Sequence, residues 1–112
     1  MSKSSTITKP NSAVRVRPAI HPGEMLREEF LEPLGLSAYV LAQRLDVPRT
    51  RIERLIREET GISADTALRL ARFFRTTPEF WTNLQASYEL TLAEDAANGA
   101  IEAIEPLTQD AA

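Results

Sequence analysis

Apolar residues recur along this chain at the three-and-four spacing of helices, and no stretch shows the alternation of a half-buried strand. From residue 20 the pattern divides into five helical runs separated by turn signals. The first opens at Ile20-His21-Pro22-Gly23-Glu24, buries Leu26, Phe30 and Leu31, and ends at Pro33 and Gly35. The second has Ser37 as N-cap and Ala38, Leu41, Ala42 and Leu45 on its apolar side. Pro48 suits the first position of the third, because proline has no N–H to lose there. Ile52, Leu55 and Ile56 form the third helix's apolar face, and Thr60-Gly61 closes it, with Gly61 expected in the left-handed conformation. Ser63 caps a fourth, SADTALRLARFF, whose Asp65 favours the helix dipole. Its stripe is Ala64, Ala67, Leu68, Ala71 and Phe74, joined by Leu70 and Phe73, so this helix is expected at the centre of the core. Thr77-Pro78-Glu79 starts the fifth, which carries Phe80, Trp81, Leu84, Tyr88 and Leu92. The expected fold is all-α: a compact five-helix bundle over residues 19–92.

Within this bundle, residues 37–57 have the layout of a helix-turn-helix. Asp46-Val47-Pro48 interrupts two short helices; Ala42 is small enough to let them approach, and Val47 fills the gap beneath the turn. The turn at Asp46 favours positive φ, which Asp tolerates better than most non-glycine residues. With Ile52, Leu55 and Ile56 turned inward, Arg49, Thr50, Glu53, Arg54 and Arg57 are left for the outer face. A short basic helix held in this way fits the major groove of DNA.

The formal net charge of −3 looks wrong for such a role until it is divided along the chain. Residues 89–112 hold six acids and no Lys or Arg, which leaves residues 1–88 with all thirteen basic residues against ten acids, a net +3. Five arginines (44, 49, 51, 54 and 57) fall within 44–57, against Asp46 and Glu53. A local basic patch matters more for phosphate contact than the whole-chain balance, although Glu58 and Glu59 directly behind it weaken it. Residues 1–18 are polar, positive through Lys3, Lys9, Arg15 and Arg17, and without a periodic apolar face. They read as a flexible basic arm. Residues 93–112 read as an acidic, partly disordered tail.

The absence of cysteine excludes disulfides and thiolate chemistry. With one histidine, no glycine-rich phosphate loop and no metal-ligand cluster, neither an enzyme nor a metal or cofactor site is expected. His21 reads as a structural residue at a helix start. No apolar run approaches a membrane span and no signal-peptide core opens the chain, so a cytoplasmic protein with no membrane partner is expected.

The segments IHPGEMLREEFLEPLGLSAYVLAQRL (20–45), VPRTRI (47–52) and GISADTALRLARFFRTTPEFWTNLQASYEL (61–90) together resemble the HigA-type antitoxins, a branch of the phage-repressor-like regulators. The resemblance covers about residues 20–92. It implies a lambda-repressor-like fold and a toxin–antitoxin module. Proteins of this type bind as homodimers to a palindromic double-stranded operator in their own promoter, and they neutralise a HigB-type toxin, an mRNA endonuclease. Asp46 and Arg75 stand where the family usually has glycine, and Glu58-Glu59 where it is often more basic or polar.

On that reading the third helix lies in the major groove. Arg49 is the candidate for a bidentate contact to guanine, and Thr50 for a thymine methyl or a phosphate. Glu53 either accepts from cytosine N4 or orients Arg49 or Arg57 by ion pairing. Arg54 and Arg57 suit bases or phosphates, and Arg51 points toward the backbone. Ser37, at a helix N-terminus, and Arg44 suit phosphates. Trp81, Leu84 and Tyr88 are candidates for the dimer surface, since aromatics with a polar handle favour interfaces, while Phe80 and Leu84 read first as core. Two rival readings are a toxin-neutralising protein with weak or lost DNA binding and a solitary repressor.

Overall fold

The computed structural model describes residues 19–108, which form five helices joined by short turns, with no strand among the described residues. We number them α1 (22–34), α2 (Ala38–Leu45), α3 (Arg49–Ile56), α4 (Ala64–Phe74) and α5 (Pro78–Ala97). The arm expected over 1–18, and residues 109–112 of the tail, lie outside the described residues. None of these helices is long and apolar enough to cross a membrane.

Local chemistry accounts for most helix starts. Ser37, Ser63 and Thr77 each place a hydroxyl to accept the amide three residues on, from Val40, Thr66 and Phe80 respectively. His21 does the same for α1 through its ring: Nδ1 accepts the N–H of Gly23 at 2.9 Å, and the buried imidazole meets the Tyr88 ring edge-on at 4.8 Å. That is the helix-start role expected of His21. Pro48 falls one position earlier than expected: it is the N-cap of α3, with ψ 142°, and Arg49 is the first helical residue.

Helix ends depart further from the sequence reading. Pro33 does not end α1 but lies inside it. Leu26–Leu31 is wound as a π-helix, and the N–H of Glu32 reaches back five residues to the carbonyl of Arg27. This wider turn changes which carbonyl lies beneath the proline ring and lets the helix continue to Leu34. Gly35, at φ 62°, then ends it. The left-handed residue after α3 is Glu58 (φ 62°), not Gly61. Gly61 is small for another reason: a Cβ there would lie 2.6 Å from Oε1 of Gln85, which accepts the Ile62 N–H at 2.7 Å.

Asp46 and Arg75 both adopt left-handed backbone, at φ 59° and 62°. A non-glycine residue in that conformation costs roughly 1–2 kcal/mol, part of which glycine gives back as lost unfolded-state freedom. Arg75→Gly is therefore expected to stabilise the bundle by about 1 kcal/mol, seen as a raised urea midpoint with an unchanged slope.

The core joins Leu26 and Leu31 of α1, Leu41, Ala42 and Leu45 of α2, Ile52 and Leu55 of α3, Ala67, Leu70 and Ala71 of α4, and Trp81 of α5. As expected, α4 is central, but its buried stripe is Thr66, Ala67, Leu70 and Ala71. Leu68 falls outside it and is 58 % exposed, Ala64 is exposed, and Phe73 and Phe74 are half-buried. Trp81 requires a correction. It has no exposed surface, its indole N–H donates to Thr76 Oγ1 at 2.8 Å, and its ring packs 5.0 Å from both Phe30 and Phe80. It is a core residue and presents nothing to a dimer partner. Leu84 packs half-buried against the core, Tyr88 is half-buried against His21, and Phe80 sits at the margin rather than inside. The boundary expected at residue 92 is not a helix end, since α5 runs on to Ala97 and is closed by Asn98 in left-handed conformation. Leu90, Leu92, Ile101, Ile104 and Leu107 remain exposed.

Candidate nucleic-acid interface

The outer face of α3 is set by what its inner face must do. Ile52 and Leu55 are buried and Ile56 packs half-buried against the core, so Arg49, Thr50, Glu53 and Arg54 are left to the outer side of this eight-residue helix. Its length is about 12 Å, comparable to the width of a major groove. Arg49, Arg54 and Arg57 are each more than half exposed, and Thr50 is exposed between them. Pro48 offers no side-chain acceptor to the first amides of α3. The turn before it is held by the Val47 N–H donating to the Ala42 carbonyl and by the left-handed Asp46.

The structure brings Arg49 and Glu53 together: Nε of Arg49 donates to Oε2 of Glu53 at 2.5 Å. The carboxylate raises the guanidinium's pKa above its ordinary value. Glu53 thus takes the ion-pairing role weighed for it above, toward Arg49. The Arg49 guanidinium also lies over the ring of Tyr39 on α2, 5.6 Å from its centroid.

Arg51 turns sideways, toward the first turn of α4, where Nη1 donates to Asp65 Oδ2 at 2.6 Å. Arg69 donates to the same oxygen. These two hydrogen bonds, Arg51's the larger influence, hold the Asp65 carboxyl below the usual carboxylate range. Thr50, Arg51, Arg54, Thr60 and Ser63 line a shallow cleft between α3 and the start of α4. Arg44 is not in the α3 row. It lines a separate groove with Leu68, Arg69, Arg72 and Phe73. Ser37 is exposed at the start of α2, its hydroxyl already engaged as a cap.

The two acids behind the patch have separate tasks. Glu59 pairs with Arg57 at 3.2 Å and with Arg54 at 3.8 Å. Glu58 turns back to Arg27 of α1 at 3.3 Å. Arg27 also donates to the carbonyl of Ile56, the last residue of α3. The sequence reading missed Arg27, Tyr39 and Gln85. Their contacts join residues 10 to 31 positions apart, beyond the range of helical periodicity; the only hint was that Tyr39 is a large ring on the polar side of α2.

Two short helices crossing at a tight turn, the second presenting arginines outward from an apolar base, define a helix-turn-helix protein. A helix-turn-helix family model matches residues 27–81. Virulence-associated protein I of Dichelobacter nodosus is 52 % identical over 94 residues, covering 84 % of this chain and 86 % of that protein. Antitoxin HigA-1 of Vibrio cholerae is 39 % identical over 74 residues, covering 66 % of this chain and 70 % of that protein. Among solved structures, Pseudomonas aeruginosa antitoxin HigA with the higBA promoter superposes with a TM-score of 0.76 at 46 % identity, covering 81 % of this chain and all of the other. The chain belongs to the HigA-type antitoxins of the helix-turn-helix family, which is not an enzyme family.

Proposed function

We propose that this protein binds a palindromic operator in its own promoter as a homodimer, represses that promoter in the cytoplasm, and neutralises a HigB-type mRNA endonuclease toxin. The observation that carries the DNA-binding part is the outward arginine face of α3, mounted on buried Ile52 and Leu55. The Pseudomonas aeruginosa relative with its promoter supports it. In this reading Arg49 reads a guanine edge, while Thr50, Arg54 and Arg57 contact bases or phosphates. Arg51, Ser37 and Arg44 face the flanking phosphate backbone. Two α3 helices about 34 Å apart match successive major grooves. For the dimer surface, Leu84 and Tyr88 are kept, and exposed Leu90, Leu92, Ile101 and Ile104 replace buried Trp81.

The deciding experiment is a fluorescence-anisotropy titration on the promoter DNA and on random DNA of equal length, at several salt concentrations. Tight, promoter-selective binding with a clear salt slope is expected. Weak, equal binding to both would overturn the repressor reading and leave a protein whose work is its toxin partner. In the same assay, Arg49→Ala is expected to flatten sequence preference by roughly 1–3 kcal/mol, whereas Arg44→Ala lowers affinity evenly on both DNAs. Equal losses on both DNAs for Arg49→Ala would remove its base-reading role.

A further inference from the structure

We infer that Tyr39, on the first helix of the pair, is a positioning residue that sets the direction from which Arg49 reads a base. The inference rests on the operator-binding reading above. An arginine on a short exposed helix samples many rotamers, and fixing it on DNA costs side-chain entropy. Here two contacts restrict it before DNA arrives. Glu53, one turn along α3, accepts the Nε proton. The Tyr39 ring supports the guanidinium face from α2, at 5.6 Å from its centroid. The ring is itself steadied, since Gln43 Nε2 donates to the Tyr39 hydroxyl at 3.2 Å.

The consequence for readout is geometric. With Nε directed at Glu53, the edge made by the two terminal nitrogens is the one left to reach guanine O6 and N7 together. Glu53, engaged with Arg49, does not separately read cytosine. The three side chains Tyr39, Arg49 and Glu53 therefore act as one unit spanning both helices of the motif. Tyr39 is half exposed and outside the core, so its loss removes this support without opening the bundle.

The test compares wild type, Tyr39→Leu, Tyr39→Phe and Arg49→Ala, together with the Tyr39→Leu/Arg49→Ala double variant. Each is titrated on promoter DNA and on random DNA at one salt concentration, with thermal melts as a folding control. Tyr39→Leu is expected to lower the promoter-to-random selectivity about two- to five-fold, the size of an exposed cation–π contact, with an unchanged melt. Tyr39→Phe keeps the ring and is expected to keep the selectivity. In the Arg49→Ala background, Tyr39→Leu is expected to change nothing further.

Undiminished selectivity in Tyr39→Leu overturns the inference. So does an equal loss on both DNAs, which marks Tyr39 as a backbone contact, and so does a persisting effect in the Arg49→Ala background. A Tyr39→Phe protein as impaired as Tyr39→Leu overturns the stacking role in favour of the hydroxyl. Failure of the underlying operator reading looks different: wild type itself then binds promoter and random DNA alike.

Discussion

Trp81→Ala is expected to destabilise the protein by about 3–5 kcal/mol, the range for emptying a large aromatic site in a packed core. Domains of this size have only about 5–15 kcal/mol in total, so the variant should lie near its unfolding threshold. The expectation follows from complete burial, from ring contacts to Phe30 and Phe80, and from the indole N–H that satisfies Thr76. Urea denaturation measures the loss, and Trp81→Phe, which keeps a ring and loses the N–H donor, should lose distinctly less. Sedimentation velocity on the same variants separates core from interface. If alanine at 81 weakened self-association while leaving the monomer's stability intact, the burial described here would be wrong.

The second large effect is expected at Gly23. A Cβ there would lie 1.8 Å from the carbonyl oxygen of Leu55 and 2.8 Å from its carbon, both backbone atoms that no rotamer change can move. Gly23→Ala must push α1 away from the C-terminal end of α3. We expect a loss of about 3 kcal/mol, the upper end for overpacking, read as a lowered urea midpoint. Gly61→Ala is the internal comparison. Its Cβ meets only the end of the Gln85 side chain, which can swing aside by giving up its bond to Ile62, so the loss should be nearer 1 kcal/mol. A Gly23→Ala protein as stable as wild type would show that α1 and α3 are not in close contact. Because Gly23 lies where α1 meets the end of α3, promoter affinity should fall with its replacement even at temperatures where the variant remains folded.

The parts of this fold that were legible in the sequence are those whose cause lies within four residues. Ser37, Ser63 and Thr77 cap their helices because each needs only its own hydroxyl and the amide three residues on. Asp46 was legible because it opens the three-residue break Asp46-Val47-Pro48 between two apolar stripes, where a tight turn calls for a residue that tolerates positive φ. The arginine face of α3 was legible as the complement of Ile52 and Leu55. What was hidden depends on neighbours far along the chain. Nothing in residues 78–90 says that Trp81 rather than Phe80 points inward; the ring cluster with Phe30 decides it. Gly61 looked like a helix stop because glycine usually is one, and only Gln85 packed on it shows the other cause. At Glu58 the stop is made by backbone bonds, its own N–H returning to the Leu55 carbonyl and that of Glu59 to Arg54, which a residue of any type can form. The support of Arg49 by Tyr39 crosses from α2 to α3 and leaves no spacing signature.

The turns at Asp46, Glu58 and Arg75 have the backbone shape of glycine turns without the glycine. Their conformation is imposed by the packed helices on either side, so the residue type is left free at a bounded cost of roughly 1–2 kcal/mol per position. Two acids and one base now occupy them. These corners are therefore places where sequences can drift in charge while the helices stay put, and related chains with this architecture can redraw their surface potential without rebuilding their cores.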